Sequence, residues 1–291
     1  MTRAHLEDIS NGIWMCYTHG KLIDTDEEAY SVEMLKTWKR IAEVRATLSQ
    51  QLGHWVQLAP KQLSDVPLPS GKIDLSELGG ENKIIGDGLA SSCVEQIWGV
   101  GPARAARDLF LELTRNAFQH GGAKKATLKI EPTYIELLDD GNPFDSRDLG
   151  RLEAGSGGAT SVRVLERSHR AALMHASERV GDQNRNRVSY LRAPKDILAA
   201  TRCAMEVTHE IAYLSDEALT ARLVVFADCR TIYLVLPEYA SYSDVFLVIR
   251  ALRRDLVHGK AVALVGNRLS TGVLDELKDV ASDVSVLNFE T

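Results

Sequence analysis

In the segment DLFLELTRNAFQHGG, residues 108–122, Glu112, Asn116 and His120 recur at every fourth position. That spacing sets side chains along one ridge of an α-helix. With Glu112 at zero and 100° per residue, Leu109, Leu113, Ala117 and Phe110 fall between about 60° and 160°, a sector wide enough to be buried. Asn116 and His120, at about 40° and 80°, run along its edge, whereas Arg104, Arg107, Arg115 and Gln119 point elsewhere. Burying such polar groups without partners costs on the order of 1–3 kcal/mol each, so the ridge calls for a ligand, a metal or internal hydrogen bonds. A row of satisfied boundary polars is the competing reading. His120, in the last turn, can interact with the last helix carbonyls. Two further segments bear on chemistry. DDGNPF, Asp139 to Phe144, is rich in turn residues and reads by itself as an Asx turn after a strand. GSGGAT, Gly155 to Thr160, leads into a helix, where consecutive glycine N–H groups can face phosphate oxygens, or else is an ordinary surface loop.

The elements that must position these residues are legible to different degrees. Gly101-Pro102 opens a helix of good helix formers that stops at Gly121-Gly122. KATLKI (125–130) and YIELL (134–138) have strand lengths and are separated by Glu131-Pro132-Thr133, which predicts a hairpin. A helix follows over Val162–Ala176. Upstream, an apolar stripe of helical period runs from Asp26 to about Leu58 and includes Met34, Trp38, Ile41, Leu52 and Trp55. Residues 60–101, broken by prolines and glycines, read as a connector with short helical pieces such as Ser91–Trp98. GDQNRNR (181–187) reads as a polar loop, and KDILAATRCAMEVTHEIAYL supports helix and strand equally. Beyond it RLVVFA, TIYLVLP, AVALVG and VSVLNF read as strands, with helices over Tyr242–His258 and Thr271–Ala281. This alternation predicts a small α/β unit with at least partly parallel pairing.

In order, ExxxNAxxHG, DxGxPF and GxGGAT resemble the N, G1 and G2 boxes of the GHKL superfamily of ATP-binding domains, named for gyrase, heat-shock chaperone, histidine kinase and MutL. The match spans about residues 102 to 176. The resemblance implies an α+β fold, a Bergerat-type two-layer α/β sandwich whose mixed sheet carries helices on one face, with ATP and Mg²⁺ as cofactors. It implies that Glu112 is the general base, that Asn116 holds the metal, and that Asp139 accepts a hydrogen bond from the adenine amino group while Gly141 lets the backbone approach the base. Gly155, Gly157, Gly158 and Thr160 then belong to the phosphate loop, with His120 a further nucleotide contact. Two departures bear on turnover: Ala159 replaces the last glycine, and the lid between the second and third boxes is very short. Arg163, Lys124 and Lys125 are phosphate candidates by sequence proximity alone, with solvated roles competing.

The remaining features narrow the class. The 291 residues, 45% hydrophobic and 25% charged, describe a folded globular protein with room for one large domain or two; the reading allots 1–100 to a helical N-terminal region and connector, 101–215 to the domain that resembles the GHKL type, and 216–291 to the small α/β unit. A formal charge of -6 disfavours a nucleic acid partner, and the polar start with no long apolar run predicts a cytoplasmic protein that neither enters nor spans a membrane. Cys16, Cys93, Cys203 and Cys229 show no CxxC pair and read as buried, reduced thiols. Autophosphorylation as in sensor kinases is disfavoured: His54 has no phosphoacceptor pattern around it, and His209-Glu210, though it resembles the beginning of such a box, lies after the three boxes and lacks the downstream Arg and Pro. ELTRNAFQHGG also looks like the serine-kinase anti-sigma factors, and residues 222–291 are weakly similar to their STAS-domain antagonists. Ser241 and Ser243 are switch candidates there, with helix capping as the competing role. Two readings stand: an ATPase or kinase, and a nucleotide-gated interaction module that does not turn over. A protein partner or homodimer accompanies either.

Overall fold

The computed structural model describes residues 12–26, 30–56, 58, 60–63, 66, 69–151, 157–207, 224–226, 228–238, 241–243, 260–280 and 284–289. The fold is mixed α+β, and the chain divides into two compact units: residues 1–162 with 177–186, and residues 163–176 with 187–291.

In the first unit, α1 (Tyr17–Thr25) buries none of its residues. Helix α2 (Val32–Leu52) starts where the Ser31 hydroxyl accepts the Met34 N–H at 3.2 Å. It ends at Gly53, whose φ of 72° turns the chain out of the helix. A cap and a left-handed glycine therefore make the helix shorter than the apolar stripe. Only Met34, Thr37 and Ile41 are buried along it, and Trp55 is 69% exposed. The expected connector holds a short 3₁₀ turn (Pro60–Leu63), a strand β1 (Gly71–Leu75) and helices α3 (Glu81–Ser91) and α4 (Val94–Trp98).

Gly99, at φ 86°, admits α5 (Val100–Gln119), with Pro102 in its first turn where a missing N–H costs nothing. Leu109, Phe110, Leu113 and Ala117 are all buried, as the helical wheel requires, and α5 packs on α3, α4 and β3. Gly122, at φ 68°, releases the chain into the hairpin of β2 (Ala126–Glu131) and β3 (Tyr134–Asp139). These strands pair antiparallel from Glu131↔Tyr134 to Ala126↔Asp139, and β1 adds antiparallel to β2. Leu128, Ile130, Ile135 and Leu137 are fully buried on this sheet.

After a 3₁₀ turn (Ser146–Arg151) comes α6 (Gly157–Ser168), which ends earlier than expected. The His169 carbonyl accepts both the Ala172 and the Leu173 N–H and closes a turn, so residues 173–176 enter β4 (Leu173–Val180) instead of extending the helix. The expected polar loop is the turn at Gly181 (φ 57°) and the start of β5 (Gln183–Tyr190). The sheet order is β1-β2-β3-β5-β4.

The second unit carries α7 (Asp196–Ala200), β6 (Ala204–Glu206), β7 (Thr231–Val235), β8 (Ala261–Asn267), α8 (Thr271–Val280) and β9 (Val284–Phe289). Its sheet, ordered β6-β7-β8-β9, is parallel throughout. Parallel strands bury both faces, which is why AVALVG is almost continuously apolar. Ile232, Leu234, Val262 and Leu264 join Val273 of α8 in one cluster. Val235, Val265, Leu287 and Phe289 join Ile197 of α7 in another.

Three expectations, two in this unit and one on the cysteines of the first, require correction. Val224–Phe226 of RLVVFA is a 3₁₀ turn, not a strand, because the Phe226 carbonyl accepts the Cys229 N–H at 2.9 Å and the Lys260 ammonium at 2.6 Å. Cys203 and Cys229 are not reduced thiols but a disulfide, bridging 26 residues. Cys16 is exposed, not buried; Cys93 is buried, and burial pushes its thiol up to about 11. Residues 208–215 and most of the Tyr242–His258 segment lie outside the described residues.

Candidate functional site

The C-terminal turn of α5 is closed by its own backbone. The Asn116 carbonyl accepts the His120 and Gly121 N–H groups at 3.0 and 2.8 Å, and the Ala117 carbonyl accepts that of Ala123 at 2.9 Å. This fixes Asn116 and His120 beside the end of β3, where Asp139 pairs with Ala126. A cavity of about 280 Å³ lies between them, lined by Asn116, His120 and Asp139 with Leu113, Ala117, Phe144 and Leu149 as its apolar part. Asn142, Asn184 and Asn186 also face it.

Asp139 is 3% exposed, and burial raises its carboxyl above the ordinary aspartate range, opposed by two hydrogen bonds to its Oδ1. The Gly141 N–H donates to that oxygen at 3.0 Å, forming the expected Asx geometry, and Asn184 Nδ2 donates at 2.8 Å. The turn and the cavity-lining role therefore coexist in one residue. A Cβ on Gly141 would lie 3.0 Å from both Asp139 Oδ1 and the Gly121 carbonyl oxygen, so only glycine fits without displacement. Asn184 is itself tied down: its Nδ2 also donates to the Asn142 carbonyl at 2.9 Å, and its Oδ1 accepts Arg179 Nη1 at 2.8 Å and the Phe144 N–H at 3.2 Å. The Ser146 hydroxyl donates to Asn186 Oδ1 at 2.5 Å. Lys124 and Lys125 engage this region through their backbone, whose N–H groups donate to Asp140 Oδ1 at 2.7 and 2.9 Å.

Glu112 and Asn116 meet the start of α6. A Cβ on Gly157 would collide with the Glu112 carboxylate, whose Cδ would be 2.6 Å away. One on Gly158 would stand 3.1 Å from Asn116 Nδ2 and from Leu149 Cδ1. Asn116 thus belongs both to the cavity wall and to the contact with α6, and among the described residues its side-chain amide has no hydrogen-bond partner. Ala159 is fully buried, which accounts for a methyl group at the last glycine position. Thr160 is exposed on α6, Arg163 is half-buried, His120 is exposed at the cavity rim, and Gly155 lies outside the described residues.

Arg115 is not directed away from the ridge. Its Nη1 pairs with Glu112 Oε1 at 3.2 Å, and its Nε donates to Glu81 Oε1 at 2.9 Å. Glu81, buried at the start of α3, also accepts the Gly79 N–H at 2.9 Å. That N–H and the guanidinium lower its carboxyl to about 2. Sequence reasoning missed Glu81, Arg115, Arg179, Asn184 and Asn186. The i,i+3 spacing of Glu112 and Arg115 was a usable signal for one of them.

Among the described residues no cluster of three or more histidine, cysteine, aspartate or glutamate side chains could hold a metal. The amide oxygen of Asn116 is a single hard donor, which suits Mg²⁺ carried in with phosphate oxygens and waters as its other ligands. No described helix is long and apolar enough to cross a membrane. No protein-family model, no curated protein and no solved structure matches this chain.

Proposed function

We infer that the chain binds an adenine nucleotide with Mg²⁺ in the manner of GHKL domains, and uses it for slow hydrolysis or phosphoryl transfer that controls a partner interaction. The observation that carries this reading is the double placement of Asn116, which lines the cavity holding Asp139 and also touches the glycine-bearing first turn of α6. A volume of about 280 Å³ is just below the range that encloses drug-sized ligands, and suits a planar base with part of its sugar. Asp139 Oδ1 is occupied by two donors, so the second carboxylate oxygen is the acceptor for a base amino group. Gly141 keeps that approach open. Gly157 and Gly158 present backbone N–H groups at a helix start, where anions are favoured. The Asn116 oxygen would hold the metal, which supplies charge neutralisation at the transferred phosphate. Glu112, beside the same turn, would orient water or an acceptor hydroxyl and take up its proton.

Two measurements test this. Asp139→Asn should weaken adenine-nucleotide affinity about 10- to 100-fold, the loss expected when a charge-assisted hydrogen bond is replaced by a neutral one; unchanged affinity defeats the site assignment. Phosphate release at nucleotide saturation should fall to background in Glu112→Ala. Equal rates in wild type and variant would favour the second reading, a nucleotide-gated module without turnover, for which the engagement of Glu112 by Arg115 already argues.

A further inference from the structure

The Glu112 carboxylate lies where a phosphate would be expected. It abuts the backbone of Gly157 so closely that no Cβ fits between them, at the first turn of a 12-residue helix. Arg115 holds it there, and Glu81 in turn holds Arg115. The three side chains run as carboxylate, guanidinium, carboxylate, with one net negative charge at the place that must receive an anion. The Glu81 end is the firmer one, since Glu81 is buried and anchored to the Gly79 N–H, while Glu112 is held by a single longer ion pair and its side chain is 25% exposed. Guanidinium binds phosphate with the same fork it offers a carboxylate, and phosphate brings more oxygens and more charge.

We propose that the Glu112 carboxylate and the terminal phosphate of a nucleotide compete for one place at the start of α6, and that Arg115, anchored by Glu81, passes from the carboxylate to the phosphate. Arg115 is then a phosphate-contacting residue. The exchange has a mechanistic result: the same event that seats the phosphate frees Glu112 from its counter-ion, so the base is released only when there is a phosphate to act on. The proposal rests on the nucleotide reading above, but its core is a statement about anions at one helix start and is open to an independent probe.

The test is calorimetric titration of the full chain with ATP, with adenosine and with inorganic triphosphate. Glu112→Gln removes the competing charge and is expected to bind ATP and triphosphate at least about fivefold more tightly, with adenosine unchanged. Arg115→Gln, made together with Glu81→Gln so that no buried carboxylate loses its guanidinium, is expected to bind both about tenfold or more weakly, again with adenosine unchanged. Should that pair fail to fold, as judged by its thermal melt, Arg115→Lys keeps the charge without the fork and is expected to lose affinity for both phosphates by a few-fold. Triphosphate affinity that is unmoved in Glu112→Gln, or that moves in step with adenosine affinity, overturns the proposal. Failure of wild type to bind adenosine and ATP defeats the adenine reading instead, and the triphosphate comparison still decides this one.

Discussion

Asp139 and Glu81 are both buried carboxylates, and their surroundings push them in opposite directions. Burial dominates at Asp139, so its folded-state pKa lies above that of the unfolded chain. The folded state then binds the proton more tightly, and stability declines as pH rises from below about 3.9 through the folded value. At neutral pH the full penalty is present. Asp139→Asn, which keeps an acceptor for the Gly141 N–H, is therefore expected to melt at the wild-type temperature or above it at pH 7, with the gain vanishing in acid; a clear loss of melting temperature would contradict the burial argument. At Glu81 the Gly79 N–H and Arg115 outweigh burial and hold the carboxyl at about 2. Its contribution is fully present above the unfolded value of about 4.3 and is lost as pH falls toward 2. Glu81→Gln should cost about 1–2 kcal/mol in urea unfolding at pH 7, and the two curves should converge between about pH 4 and 2.

At the scale of elements, the site joins parts that were easy to read with parts that were not. The 3.6-residue period of α5 set Glu112 and Asn116 along the edge of a buried sector, and there hydrophobic pattern and structure coincide, whereas Asp139 stood out only as a turn residue and through the resemblance of DDGNPF to the second box. The first part of strand β5, residues 183–187, was read as a loop because its period of two is carried by polar residues. In QNRNRVSY the buried positions begin with Asn184 and Asn186, while Arg185 and Arg187 between them are more exposed. Two inward asparagines make sense only with their partners in place, and those come from Asp139, Ser146 and Arg179. Boundaries failed where a local hydrogen bond overrode the pattern, as at the Ser31 cap of α2 and the His169 turn after α6. Asn184→Leu tests how far the hairpin supports the site. It keeps the volume but leaves Asp139 and Arg179 without a shared partner, and should cost about 2–4 kcal/mol in chemical unfolding and weaken nucleotide binding as well. A loss of stability with intact binding would mean that Asp139 keeps its orientation unaided.

Across the whole molecule, the disulfide and the order of assembly set the limits. The pairing of Cys203 with Cys229 was not legible, because it depends on two strand starts being brought together rather than on any spacing between the cysteines. For a separation of 26 residues the loop-entropy model gives about 3.5 kcal/mol of stabilisation. Reduction, or Cys203→Ser with Cys229→Ser, should lower the melting temperature by several degrees while nucleotide affinity measured well below the melt stays the same, since Glu112, Asn116 and Asp139 all belong to the other unit. A parallel fall in affinity would show that the two units are energetically linked. The first unit is also discontinuous: it closes only with residues 177–186, after the chain has passed through 163–176. During translation at roughly 5–20 residues per second, Asp139 leaves the ribosome some 2–9 s ahead of Asn184, which follows it by 45 residues. Throughout that interval a carboxylate destined for burial has none of its side-chain partners, and the nascent chain must keep it wet. A nascent chain whose residue 184 has yet to emerge therefore displays every box-like motif of this protein and still carries an unfinished pocket.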